Sequence, residues 1–170
     1  HAAGVVADAA LATQTKESFQ QTAAAKTHAA CHLAQALQGT SANLDFWINF
    51  SSSAGILGTP GQANYAAANA WLDAFTVPTQ RRLTVAWGPW SAGLGAAVGD
   101  RYASRGVSSI KPAQAFALLD GLLATDTEAV AVLPIKWTPF FAALPVDASP
   151  PLLDLLRPAE IPAPPASLAT

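Results

Sequence analysis

The chain has 170 residues, of which 51% are hydrophobic and 12% charged, with a formal net charge of −2; this is the composition of a folded domain and not of a disordered segment. Without a basic surplus there is no broad surface to neutralise phosphates, which argues against nucleic-acid binding. The single cysteine, Cys31, excludes an internal disulfide, and with no secretory signal and no apolar run near the ~18 residues of a membrane helix the expected location is cytoplasmic.

His1–Val5 reads as the end of a buried strand that enters a small-residue turn. Residues 15–37 are rich in helix formers, and Gly39 is a plausible stop. Residues 45–50 are apolar and aromatic and predict a buried strand. Ser51–Gly61, rich in Ser, Gly and Pro, predicts a loop, and residues 64–75 a helix that opens straight out of it. Residues 83–87 predict another buried strand, ending in Gly88-Pro89. The Gly-rich stretch 91–109 reads as a loop or lid. Residues 112–124 predict an amphipathic helix offering Phe116, Leu118, Leu119 and Leu122 for packing, and residues 130–134 a last strand.

Strands separated by helices imply parallel pairing, hence an α/β, doubly wound, Rossmann-like parallel sheet. Ligands of such sheets bind beyond the carboxyl ends of the strands. The segments there are Ala2-Ala3-Gly4, Ser51-Ser52-Ser53 and Gly88-Pro89-Trp90. With no methionine in the chain and His1 at its start, we expect a longer polypeptide upstream and a sheet incomplete on its N-terminal side. Domain 1–145 is expected to pass into a Pro/Ala-rich interdomain linker over 146–170.

Ser52 sits beside the predicted strand end, Tyr65 follows 13 residues later at the helix start, and Asn69 lies four residues further on, on the same helical face. The stretch from Phe50 to Ala74, FSSSAGILGTPGQANYAAANAWLDA, resembles the active-site segment of short-chain dehydrogenases/reductases. Its YAAAN form resembles the ketoreductase domains of modular polyketide synthases and animal-type fatty acid synthases. Most members of the superfamily carry a lysine where Asn69 stands; in these ketoreductases the lysine comes from the preceding helix, and Lys26 in AAAKTHAACHL resembles it. HAAGV and LTVAWGPW resemble the family segments that meet the adenosine and nicotinamide ends of the cofactor.

The resemblance implies NADPH-dependent reduction of a β-ketoacyl thioester on the phosphopantetheine arm of an acyl carrier protein. Tyr65 is then the general acid, and Lys26 its electrostatic tuner and ribose contact. Ser52 holds the substrate oxygen, and Asn69 positions Lys26 or a relaying water. Chemically the pairing makes sense: a free tyrosine has a pKa of about 10 and is a poor proton donor near neutrality, and an adjacent ammonium lowers that value.

Ala2, Ala3, Gly4, Pro89 and Trp90 become cofactor neighbours, and Leu57, Gln62 and Leu94 candidates for orienting substrate. A subtype tryptophan eight residues before the tyrosine is replaced by Leu57, and of a Leu-Asp-Asp triplet only the last residue survives in Val6-Ala7-Asp8, which implies a D-configured hydroxyl. The Gly-rich dinucleotide fingerprint is expected upstream of HAAG, on the missing half of the domain. Residues 75–82 are shorter than in most relatives. The spacing of His28, Cys31 and His32 lacks further ligands for a metal, and the Asn49-Phe50-Ser51 sequon falls at a buried strand. A fatty acid synthase reductase would share every one of these residues; a non-enzymatic scaffold would need none of them.

Overall fold

Thr15 accepts a hydrogen bond from Ser18 N while the Ser18 side chain accepts from Thr15 N, a reciprocal cap that starts helix α1, Lys16–Ala23. A computed structural model of the protein describes residues 1–38, 40, 44–78, 81–144 and 151–159. They form two units, His1–Gly88 with Ala113–Val132, and Pro89–Pro112 with Leu133–Thr170. No helix among the described residues is long and apolar enough to cross a membrane.

In the first unit α1 continues without a break through a π-helical turn, Ala24–His28, into α2, Ala29–Gln38. The helix expected over 15–37 is therefore present, but with its pitch widened in the middle. Strand β1, Trp47–Ser52, follows, then a short helix α3, Ala54–Leu57, and α4, Ala63–Ala74. Gly58 and Gly61, at φ 70° and 82°, turn the chain between these two helices in a conformation that suits glycine. A Cβ on Gly55 would stand 2.9 Å from Ala70 N, so α3 lies directly on α4. The loop expected over 51–61 is thus shorter than its composition suggests: Ser51 and Ser52 complete the strand, and an isolated helical turn fills the middle.

Strands β2, Arg82–Trp87, and β3, Ala129–Val132, complete a three-stranded parallel sheet in the order β1-β2-β3. Trp47 pairs with Arg82 and Ser52 with Trp87; Thr84 pairs with Ala129 and Trp87 with Val132. As the central strand, β2 is buried from Leu83 to Trp87, apolar but for Thr84, as a strand covered on both faces is. His1 stands opposite Asn49: its N donates to Ile48 O at 2.7 Å, and its O accepts from Phe50 N at 2.9 Å. These are the two bonds of one parallel rung, so the strand expected at His1–Val5 touches the sheet at His1 and then departs.

In the second unit the stretch 91–109 contains a 3-10 turn, Gly93–Val98, and helix α5, Gly99–Ala103. Back in the first unit, helix α6, Pro112–Leu123, buries Ala115 and leaves Phe116 and Leu118 exposed. The expectation that all four large apolar residues pack is corrected here. Ala115, Leu119 and Leu122 share one stripe at helical spacing, whereas Phe116 lies about 100° round from Ala115.

The second unit resumes with helix α7, Trp137–Ala142. A further 3-10 turn, Pro151–Leu156, buries Leu153, and Arg157 sits over the Phe141 ring at 4.5 Å. The expected linker is therefore not extended there; its residues 146–150 and 160–170 lie outside the described residues, as do Gly39, Thr79 and Gln80.

Helix α4 ends where β1 can receive it. Asn49 is 1% exposed; its Nδ2 lies 3.3 Å from Leu72 O, Phe75 O and Thr84 Oγ1, and its Oδ1 accepts from Trp47 Nε1 at 2.5 Å. Removing that amide strands the indole N–H and two helix-end carbonyls away from water. Asn49→Ala is expected to lower stability by about 3 kcal/mol, seen as a lower urea midpoint at unchanged m-value; a change under about 0.5 kcal/mol would show that water replaces the amide.

Candidate active site

Lys26 lies in the π turn, a widening of the helix of the kind often found at functional positions. The side chain is 4% exposed. Its Nζ donates to Phe50 O at 2.7 Å, on β1, and stands 5.9 Å from the centre of the Tyr65 ring. His1 Nε2 lies 3.1 Å from the Lys26 carbonyl, which ties the same helical turn to the departing N-terminal segment. Burial lowers the Lys26 pKa from 10.5 to about 8, and the charge of Asp73 opposes that fall. Burial correspondingly raises the Asp73 carboxyl, against a Ser51 hydrogen bond and the Lys26 charge.

Tyr65, Asn69 and Asp73 recur at helical spacing on α4, one turn apart. Tyr65 is half-buried in the first turn. Asn69 is 0% exposed; its Nδ2 donates to Tyr65 O at 2.8 Å, and its own carbonyl accepts from Ser51 Oγ at 3.2 Å. The amide thus reaches the tyrosine backbone, while the Lys26 ammonium reaches Phe50. Asn69 Oδ1 and Asp73 Oδ1 are buried with no hydrogen-bond partner among the described residues. Ser52, half-buried at the end of β1, accepts from Ala54 N at 3.2 Å. That contact uses a lone pair and leaves the hydroxyl proton for donation.

Gln62, immediately before α4, is buried, and its Nε2 lies 3.0 and 3.2 Å from the two carboxylate oxygens of Asp8. The subtype position Asp8 and the candidate substrate contact Gln62 are therefore one hydrogen-bonded pair. Leu57 closes α3 half-buried. Ala2 and Ala3 are exposed and Gly4 half-buried, directly after the His1 rung. Pro89, Trp90 and Leu94 belong to the second unit. There Pro89 is buried and its carbonyl accepts from Ile110 N at 2.8 Å. Trp90 is half-buried and bridges to Ile110, and Leu94 is 54% exposed.

Sequence reasoning missed Asn64 and Asp73. The signal for Asp73 was its place on the Tyr65 stripe; Asn64 carried none beyond its position beside Tyr65.

The donor set fits the nicotinamide-ribose end of a dinucleotide. A buried ammonium with one hydrogen bond retains donors for ribose hydroxyls, a buried amide oxygen lacks a donor, and small side chains follow the strand end.

The Lys26 titration has a sign. Unfolded, the group holds its proton up to its ordinary 10.5; folded, to about 8. Across that window the unfolded chain binds more protons, so this group's contribution to stability grows as the pH rises from about 8 toward 10.5, and below that window burying the charge is a constant penalty. Urea midpoints at about pH 7.5 and 9.5 are expected to differ by this increment in the wild type and to lack it in Lys26→Met; parallel pH dependence in the two proteins would mean that the ammonium is hydrated.

A profile of the family described as KR domain matches residues 1–92. Polyketide synthase GfsB of Streptomyces halstedii is 40% identical over 151 residues, 84% of this chain and 3% of that protein. A mycocerosic acid synthase-like polyketide synthase of Mycolicibacterium smegmatis is 37% identical over 134 residues, 74% of this chain and 6% of that protein. Among solved structures, an A1-type ketoreductase matches with a TM-score of 0.80 and 33% identity, over 91% of this chain and 34% of that one. A-type ketoreductases from a modular polyketide synthase match with a TM-score of 0.79 and 33% identity, over 91% of this chain and 34% of that one. The chain thus spans a small part of the synthases and about 34% of the solved ketoreductases it resembles. Its parallel sheet with flanking helices is their Rossmann-like fold, and the chain belongs to the KR domain family, the ketoreductase domains of modular polyketide synthases.

Proposed function

We propose that this chain is the C-terminal catalytic part of a ketoreductase that uses NADPH to reduce a β-ketoacyl thioester on an acyl carrier protein during polyketide extension in the cytoplasm. The observation that carries this reading is the seating of Lys26, an ammonium closed off from water, bonded to the end of β1 and placed over the Tyr65 ring. A lysine held so has no packing advantage over an apolar side chain and is costly to bury. Its use is electrostatic.

In the reaction Ser52 donates its hydroxyl proton to the substrate carbonyl oxygen as a hydrogen bond. Tyr65 transfers its phenolic proton to that oxygen as the carbonyl becomes an alcohol, and Lys26 stabilises the tyrosinate left behind. Asn69 holds the first turn of α4 and offers its Oδ1, without a hydrogen-bond partner among the described residues, to a relaying water. When bound, NADPH would supply the hydride for the β-carbon, which with the Tyr65 proton accounts for the two electrons and the proton of the reduction. In the first unit Lys26, Tyr65, Ala2, Ala3 and Gly4 would hold its nicotinamide and ribose side. Leu57 and Gln62 orient the acyl chain, for a D-configured hydroxyl. The upstream part of the domain supplies the pyrophosphate site, residues 1–145 form the catalytic part, and residues 146–170 lead on toward neighbouring synthase domains.

In the intact synthase polypeptide, consumption of NADPH on addition of a β-ketoacyl thioester is expected to fall by about 100-fold or more in Tyr65→Phe, with NADPH affinity retained. A wild-type protein that binds NADPH and reduces nothing would overturn the reading in favour of a structural domain.

A further inference from the structure

Asn64 stands directly before Tyr65 and is 1% exposed. A buried primary amide is tolerated where its donors and acceptor are all used. Here Nδ2 donates to Ala7 O at 2.9 Å and to Ser18 O at 3.2 Å, and Oδ1 accepts from Tyr65 N at 2.8 Å. Tyr65 N is among the first amides of α4, which have no partner inside the helix. The N-cap residue Gln62 makes no side-chain cap, and its Nε2 donates to Asp8. Asn64 therefore does the capping from inside the first turn.

Its two other partners lie on the segments that bring the remaining groups. Ala7 precedes Asp8, the partner of Gln62. Ser18 lies on α1, which runs on into the π turn that carries Lys26. One side chain thus ties together the start of the tyrosine helix, the segment bearing the Asp8–Gln62 pair and the helix bearing the lysine. An apolar residue of the same volume would fill the space and fix none of these directions.

We infer that Asn64 is a positioning residue that registers the Tyr65 proton donor against the Asp8–Gln62 pair and the lysine helix, and so governs both turnover and the fidelity of the hydroxyl configuration. The inference rests on the reductase reading, since only a proton donor and an oriented ketone need that register. A displacement of about 1 Å at such a donor suffices to slow a reaction 100-fold.

The test uses the intact synthase polypeptide with Asn64→Ser, which removes both donations, and the isosteric Asn64→Asp, which keeps the acceptor for Tyr65 N and serves if the first variant does not fold. Expected are a kcat lowered about 10- to 100-fold, with KM and NADPH affinity within about threefold, and a clear rise in the minor hydroxyl enantiomer. Amide exchange in peptides covering residues 5–10 and 15–20 is expected to quicken. A folded variant with wild-type kcat and enantiomer ratio overturns the inference. If the wild type itself reduces nothing, the reductase reading has failed and the exchange data decide the clamp alone: unchanged protection of both peptides refutes it, and lost protection upholds it.

Discussion

An ammonium group withdrawn from water must be given partners, and the surroundings of Lys26 follow from that requirement. Its helix is widened by a π turn at the residue that carries it. The Phe50 carbonyl accepts its hydrogen bond, the Tyr65 ring lies 5.9 Å away at its centre, and the carboxyl of Asp73 supplies the opposing charge. The partners come from β1 and α4, so these two elements and the lysine helix cannot shift independently without uncovering the charge. The same arrangement that holds these elements in register keeps the ammonium 5.9 Å from the centre of the Tyr65 ring.

Among its described residues the first unit also buries three asparagine amides. Asn49, Asn64 and Asn69 are all 1% exposed or less. Each amide donates to backbone carbonyls: Asn49 at the end of α4, Asn69 within it, and Asn64 across to two other segments. Apolar residues would give comparable burial without direction, whereas an amide holds its carbonyl partners at fixed distances and angles. Two of these amides, Asn64 and Asn69, bond to the Tyr65 backbone and so fix its orientation where catalysis would need it. Asn69 Oδ1 and Asp73 Oδ1, on the Tyr65 face of α4, are among the buried polar atoms with no hydrogen-bond partner among the described residues, and a buried oxygen left in that state calls for a physical explanation.

Much of the architecture is local and legible in the chain. Apolar runs of strand length, helix formers between them and turn residues at their ends specify alternating elements, and alternation specifies parallel pairing. The boundaries that moved did so for tertiary reasons. Ser51 and Ser52 read as loop because serine favours turns, yet β2 extends far enough to pair with them as Ala86 and Trp87. Phe116 and Leu118 read as core because they are apolar, yet the stripe that faces inward is centred on Ala115.

Ser52, Tyr65, Asn69 and a single candidate lysine, Lys26, are legible in the primary structure, both as chemical groups and, for Tyr65 and Asn69, as neighbours on one helix, because helical neighbours are set by residue number. How these groups are held is a property of the folded chain alone. The contact between Gln62 and Asp8 spans 54 residues, that between Asn64 and Ala7 spans 57, and the Lys26–Phe50 bond spans 24. Such contacts depend on where helices cross and strands end, and no periodicity in the chain encodes them. The physical reason is that propensity and pattern act over a turn or a strand pair, whereas the partner of a buried polar group is chosen by whichever distant segment packing brings within hydrogen-bond reach.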